Sequence, residues 1–305
     1  MVLKRKCAVC SSEDCRQLYE VKDYRIVKCK HCGFVYLDLA HEQSLTGIYQ
    51  EEYFKGTFDS EETFNVSGWD YFDPVHYSEV LLHSRQALDT IERFLPPGKI
   101  LDVGCGPGIF LRETLSKGWD PYGFDISDFA VQYAIEKLGL PNVKKMNVKE
   151  MNYVDNSFDV ITMFHIIEHV PYPRELLERC FKILKNNGII LVETPDISSK
   201  RAERAGLEWK YLKIPEHVNY FSLKILVDLL KKIGFTHMKI IRSTHSTGLM
   251  NMLCGGEKKA SIFYDGWSKS KSFRFAVKKV RKFKEFISGY ILSDYDVVTV
   301  IARKP

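Results

Sequence analysis

The spacing of hydrophobic positions changes character along the chain. From Lys99 onward, short apolar runs alternate with stretches whose apolar residues recur at helical spacing. KILDVG, PYGFDIS, FDVITMFHI, GIILVETP and HMKIIRST read as strands. IFLRETLSKG, DFAVQYAIEKLGL, RELLERCFKILKNNG and LKILVDLLKKIGF read as helices, each closing on glycine or just before one. Such alternation predicts an α/β fold with a doubly wound, mostly parallel sheet, since parallel neighbours need a crossover helix between them. A segment at 244–293 interrupts the alternation, and YDVVTVIARKP then supplies a last strand.

Upstream of Lys99 the pattern differs. Residues 41–98 are aromatic and polar before they become helical, with Val80, Leu81, Ala87, Leu88, Ile91 and Leu95 on one face and PPGK as the stop. Residues 1–40 hold two short β-like runs, YRIVKC and FVYLDL, among closely spaced cysteines. The chain therefore divides into a cysteine module (1–40), an aromatic linker and capping helix (41–98), and a sheet domain (99–305) with its insertion.

Composition narrows the class. With 305 residues, 45% hydrophobic, the chain can bury the core of a large domain plus a small module. MVLKRKCAVC lacks the apolar core of a signal peptide, and no apolar run reaches the ~20 residues of a membrane span. Eight cysteines in that setting point to reduced thiols or metal ligands, and the expected location is cytoplasmic. A net charge of +5 does not by itself imply a nucleic-acid partner.

Candidate chemistry concentrates in Ile100–Gly108, ILDVGCGPG, at the carboxyl end of the first strand of the sheet domain. Ligands of doubly wound folds bind at such strand ends. Gly104 and Gly106 let a ligand approach the backbone, and the following helix points its amides there. The dinucleotide pattern G-x-G-x-x-G fails because Ile109 stands at its third glycine, and the phosphate loop fails for want of its lysine. Asp102 before the loop suits a cationic amine, and Asp125, ending the next strand, suits a ribose diol.

With these motifs, NYVDNSFDVITMFHIIEHV and ILKNNGIILVETP in order, the chain from Lys99 to Ser243 plus the terminal strand resembles class I, Rossmann-like S-adenosylmethionine (SAM)-dependent methyltransferases. The resemblance implies that Gly104, Cys105 and Gly106 wrap the methionine part of SAM beside Asp102. It implies that Asp125, with Ile126, holds the ribose, that Asn147 and Val148 face the adenine, and that Phe164 and His165 line the cofactor at the fourth strand's end.

CAVC and CKHC place Cys7, Cys10, Cys29 and Cys32 at C-x2-C-x18-C-x2-C, a zinc-ribbon spacing. Four thiolates close a tetrahedron, so the expected Zn2+ is structural. Cys15 and His31 lie nearby without a ligand's place, and Gly33 permits the turn around sulfur.

For the acceptor side, two Glu-His pairs stand out. Glu168-His169 follows the fourth strand at the cofactor edge, where a structural role is expected. Glu216-His217, in IPEHVNYFS, follows the fifth strand, and His217 is the candidate general base with Glu216 beside it. IPEHVNYFS resembles the corresponding stretch of zinc-bearing sugar C-methyltransferases, whose Tyr-x-Glu-His cluster supplies the base; here Ile214 stands at the tyrosine position, with Tyr211 and Tyr220 as substitutes in reach. The aromatic set Tyr49, Tyr53, Phe54, Trp69, Tyr71, Phe72 and Tyr77 either roofs the pocket or packs the linker. KSKSFRFAVKKVRKFK (269–284) spaces Phe273, Val277, Val280 and Phe283 as a basic amphipathic helix, suited to packing on the domain, to peripheral contact with a membrane surface or to an anionic acceptor. The expected acceptor is a small molecule, such as a nucleotide-sugar or glycan precursor. An RNA base is the alternative, and a non-catalytic SAM-binding module the third reading.

Overall fold

The computed structural model describes residues 5–38, 48–60, 63–243 and 295–305. The 244–293 insertion and its basic amphipathic segment lie outside the described residues, as does Cys254. In chain order, the N-terminal part contributes β1 (Cys15–Val21), β2 (Tyr24–Cys29), β3 (Val35–Leu37), α1 (Glu51–Phe54) and α2 (Pro74–Ile91). The alternating part follows as β4 (Lys99–Val103), α3 (Ile109–Ser116), β5 (Asp120–Asp125), α4 (Asp128–Glu136), β6 (Val143–Lys145), β7 (Phe158–Phe164), α5 (Pro173–Ile183) and β8 (Leu184–Pro195). It ends with α6 (Lys200–Ala205), β9 (Asn219–Tyr220), α7 (Leu223–Ile233), β10 (Thr236–Ser243) and β11 (Val297–Arg303).

Seven strands form one sheet in the order β10-β11-β8-β7-β4-β5-β6. β6, β5, β4, β7 and β8 run parallel, while β11 is antiparallel to both its neighbours. This is the α/β architecture expected from the alternation. The order changes direction at β4, so its carboxyl end opens a crevice between β5 and β7. Near-continuous apolar runs fill the central strands because both faces are covered. Leu101, Ile161, Ile190 and Val300 pack with Leu177 and Leu226 in one buried cluster; Ile100, Val160, Leu191 and Ile301 pack with Leu88 and Ile91 of α2 in another.

One boundary departs from the sequence expectation. The helix expected over RELLERCFKILKNNG ends at Ile183, and Leu184 already pairs with Phe158. Gly188 therefore lies within β8 and does not stop a helix. A Cβ there would meet the carbonyl oxygens of Asp159 and Lys185 at 2.9 Å, so glycine serves close strand packing.

The cysteine module is stitched into the rest of the molecule. β1, β2 and β3 form a small sheet whose fourth strand is β9, with Val35 opposite Tyr220 and Tyr36 opposite Asn219. Phe34 packs on Phe221 with ring centroids 5.0 Å apart. β9 is only two residues long and follows Glu216-His217 directly, so the small sheet reaches to the edge of the crevice.

Candidate functional site

A cavity of about 1290 Å³ opens at the carboxyl ends of β4, β5 and β7. It is lined by Asp102, Gly104, Cys105, Gly106, Asp125, Ile126, Asn147, Val148, Phe164, His165, Glu216 and His217; of the first Glu-His pair His169 lines it and Glu168 does not.

The glycine loop is built by backbone geometry. Gly104, Gly106 and Gly108 take φ of +69°, +51° and +83°, a region that costs other residues about 1–2 kcal/mol. A Cβ on Gly104 would lie 2.1 Å from Ile166 Cδ1, and one on Gly108 would lie 2.7 Å from Leu140 Cδ1. Gly104 is thus approached by a side chain of this protein, and Gly108 seats α3 against α4. The amides of Gly104 and Cys105 both donate to Phe124 O, which joins the loop to β5.

The two carboxylates behind the loop differ. Asp125 accepts from Gly106 N at 2.8 Å and Ser127 N at 2.9 Å. Burial nevertheless raises its pKa, against those amides. Among the described residues Asp102 accepts a single side-chain bond, from Thr162 Oγ1 at 2.7 Å. Burial, reinforced by the charge of Asp125, pushes its carboxyl up to about 7. A bound cation would favour its ionised form. Asn147 Oδ1 already accepts from Lys149 N at 3.0 Å, capping the short helical turn Val148–Glu150; its second lone pair is the acceptor open to a ligand.

On the opposite wall the two Glu-His pairs meet. Glu168 is buried between His165 Nδ1 at 3.1 Å and Thr194 Oγ1 at 2.8 Å. Burial raises its pKa, but the hydrogen bond and charges of His165 and His169 prevail and hold it below the usual range. Its carbonyl accepts from Val218 N and Asn219 N, so Glu168 buttresses the loop that carries the second pair. His165 turns the chain at φ +54°, placing its Nε2 3.6 Å from Glu193 Oε1 as well.

His217 Nδ1 lies 2.8 Å from Tyr211 O. A carbonyl only accepts, so Nδ1 carries the proton and Nε2 keeps its lone pair. Burial, then the charges of His169, Lys213 and His165, holds His217 well below its ordinary pKa, and the ring is neutral at physiological pH. By the same logic His169 donates Nδ1–H to Glu216 O at 2.9 Å. The two rings meet edge to face, 4.6 Å between centroids.

Three contributors to this wall were not assigned to it from the sequence, which left Tyr49 and Tyr53 between roofing the pocket and packing the linker. Tyr53 OH donates to Glu216 Oε1 at 2.8 Å, and Tyr49 OH lies 2.9 Å from His169 Nδ1. A tyrosine therefore reaches the Glu-His pair from α1, although Ile214 occupies the sequence position expected for one. Tyr220 does not supply it: it is paired into β9 and its buried hydroxyl has no hydrogen-bond partner among the described residues. Tyr211 contributes its carbonyl to His217 and its ring to His165, 6.1 Å away and stacked. The third is His83 of α2, whose Nε2 sits 2.9 Å from the buried Glu193 carboxylate. Burial lowers the His83 pKa, but Glu193 outweighs it and raises the net value. Of the aromatic set, Tyr49, Tyr53, Phe54, Trp69 and Tyr71 line the cavity, while Phe72 packs on Phe129 and Tyr133.

The cysteine cluster lies apart from this cavity. The sulfurs of Cys7, Cys10, Cys29 and Cys32 all fall within 4.8 Å of one another, with Cys7–Cys32 at 3.5 Å and Cys10–Cys29 at 3.6 Å. Zinc–sulfur bonds of about 2.3 Å place tetrahedral thiolates about 3.8 Å apart, so the donor set fits that ion. Burial raises the Cys7 thiol to about 11. Burial also opposes ionisation of Cys29, but the amides of Cys32 and His31 prevail and bring it to about 7. Gly33 takes φ +81° in the turn, and His31 is exposed.

Comparison with known proteins agrees with this architecture. A family model described as "Methyltransferase domain" matches residues 75–240. An uncharacterized protein of Methanocaldococcus jannaschii is 24% identical over 155 residues, covering 51% of this chain and 73% of its own. A ubiquinone biosynthesis O-methyltransferase of Nitrosomonas europaea is 25% identical over 186 residues, covering 57% and 78%. The crystal structure of a SAM-dependent methyltransferase from Archaeoglobus fulgidus superimposes with a TM-score of 0.50 at 22% identity, over 73% of this chain and 93% of that one. The glycine-loop crevice lies within the matched span, and the chain belongs to the methyltransferase domain family as a SAM-dependent methyltransferase.

Proposed function

We propose that this enzyme methylates a small molecule carrying an ionisable O–H, N–H or C–H, with a sugar or glycan precursor as the favoured class, and that His217 removes the acceptor's proton. The observation that carries this reading is the buried, neutral His217, whose Nε2 lone pair is left available on a cavity shared with the glycine loop. When bound, SAM supplies a methyl carbon activated by its sulfonium leaving group. Gly104, Cys105 and Gly106 would hold its methionine part, Asp102 its ammonium, Asp125 its ribose hydroxyls, and Asn147 its adenine amine, with Ile126, Val148, Phe164 and His165 along its length.

The protein's work is then to position the acceptor and take a proton. His217 Nε2 would take the proton that the acceptor atom gives up as it is methylated. Tyr211 O would stabilise the resulting imidazolium through Nδ1–H. The four cysteines would hold a structural Zn2+, which leaves no coordination position for chemistry.

The test incubates the enzyme with methyl-labelled SAM and fractionated extract, and identifies the product by mass spectrometry. Label in a sugar derivative, lost in His217→Ala while SAM binding persists, supports the reading. Label confined to RNA, or undiminished turnover by His217→Ala, refutes it.

A further inference from the structure

Arg5 stands two residues before the first cysteine, yet its side chain reaches the backbone of the loops that carry the two Glu-His pairs. Its guanidinium donates to Val218 O at 3.0 Å and Leu37 O at 3.3 Å through Nη1. Through Nη2 it donates to Pro171 O at 2.6 Å and Asn219 Oδ1 at 3.0 Å. These oxygens come from three separate pieces of chain: β3, the loop after Glu168-His169, and the strand after Glu216-His217. Asn219, held by Arg5, in turn donates Nδ2 to Ile167 O at 3.2 Å and Val170 O at 2.6 Å. Tyr36 lies beneath the guanidinium, 5.5 Å from its ring centroid.

The arrangement has a clear mechanical consequence. The loops bearing His169 and His217 are joined directly by the Glu168 carbonyl and by His169 Nδ1–H to Glu216 O, and from behind by the bridge through Arg5 and Asn219. A planar fork of donors can serve four acceptors at fixed angles; an ammonium cannot. The backbone of Arg5 is itself fixed to the small sheet, where its N–H donates to Asp38 Oδ1 at 3.2 Å.

We infer that Arg5 is a positioning residue: it couples the cysteine module to the acceptor wall and sets the edge-to-face contact of His169 with His217. The module is then part of the acceptor site's scaffold and not an appended domain. This inference deepens the reading of His217 as the base, but its test does not depend on that reading. The geometry of the histidine pair is measurable without any acceptor.

The experiment uses full-length protein labelled with 15N-histidine, with the His169 and His217 signals assigned from His169→Gln and His217→Gln. In the parent protein His217 keeps an Nδ1-protonated, Nε2-bare signature at neutral pH. In Arg5→Ala the His217 signal should shift and its titration move up toward the ordinary value near 6.5, while SAM affinity stays within about twofold because the glycine loop is not touched. Millimolar guanidinium chloride should restore the parent spectrum of Arg5→Ala, and ammonium chloride should not. Arg5→Lys keeps the charge without the fork and should reproduce the shift, which covers the case in which Arg5→Ala fails to fold. Unmoved His169 and His217 signals in both variants, or equal rescue by ammonium, overturn the proposal. So does an equal loss of SAM affinity, since the effect would then not be confined to the acceptor wall. Loss of turnover in His217→Ala is a separate result, and its absence would sink the base assignment while leaving this one standing.

Discussion

Replacing Tyr53 by phenylalanine removes a single oxygen from the wall of the cavity, and the structure allows its cost to be worked out. The Glu216 carboxylate is fully buried. Its Oε1 receives the 2.8 Å bond from Tyr53, and Lys213 Nζ stands 3.4 Å from Oε2. Burial and the charge of Glu216 hold the Tyr53 phenol well above its ordinary pKa, so it is a donor throughout the working range. Hydrogen bonds to charged groups contribute about 1.5–3 kcal/mol, and a buried acceptor left without its donor bears its desolvation cost. Tyr53→Phe should therefore lower stability by about 2 kcal/mol, which for a domain of this size is a fall in Tm of roughly 4–8 °C. The assay is a double-mutant cycle with Glu216→Gln, followed by urea unfolding and calorimetry. The coupling between the two positions should exceed about 1 kcal/mol. Additivity within about 0.5 kcal/mol would show that the two side chains do not interact, and the view of α1 as part of the acceptor wall would fail.

Two further outcomes follow from the site and the cysteine cluster. Asp102 ionises at about 7 in the free protein against about 3.9 when unfolded. Its protonated form therefore favours folding at acid pH, and that contribution is lost as pH rises through 7. A cationic cofactor prefers the carboxylate, so SAM affinity should rise between about pH 6 and 8 with proton release on binding. Calorimetric titration in buffers of different ionisation enthalpy reads this directly, and pH-independent affinity without proton release would contradict it. The four-cysteine cluster should carry about one zinc per chain by atomic emission, and Cys29→Ser or exhaustive chelation should lower Tm by several degrees. A metal-free preparation with an unchanged Tm would remove the structural role.

Much of the sheet was legible because its determinants are local. Apolar runs bounded by turn residues, helical spacing between them and glycine at the breaks specify β4, β5, β7, β8 and the helices joining them. The glycine loop was legible for the same reason: the positive φ values of Gly104 and Gly106 are demanded within a few residues. Three other strands were not. β6 has three residues, β9 has two, and β1 is largely solvated, so none carries a periodicity that could be counted. The end of α5 was misplaced because pairing of Leu184 with Phe158, across the sheet, overrides the local helical preference.

What the sequence by itself determined is the class of the molecule: the order of strands and helices, the bare backbone at one strand end with acids behind it, and two cysteine pairs at metal-binding spacing. Only the tertiary structure decided the composition of the wall around the two Glu-His pairs. Tyr49 meets His169 across 120 positions, Tyr53 meets Glu216 across 163, and Arg5 meets Val218 across 213. A hydrogen bond depends on where two atoms end up in space, and separations of this size leave no trace in the spacing of residues along the chain. Folding the small sheet onto β9 brings those distant segments together, and the chemistry of the site is set at that junction.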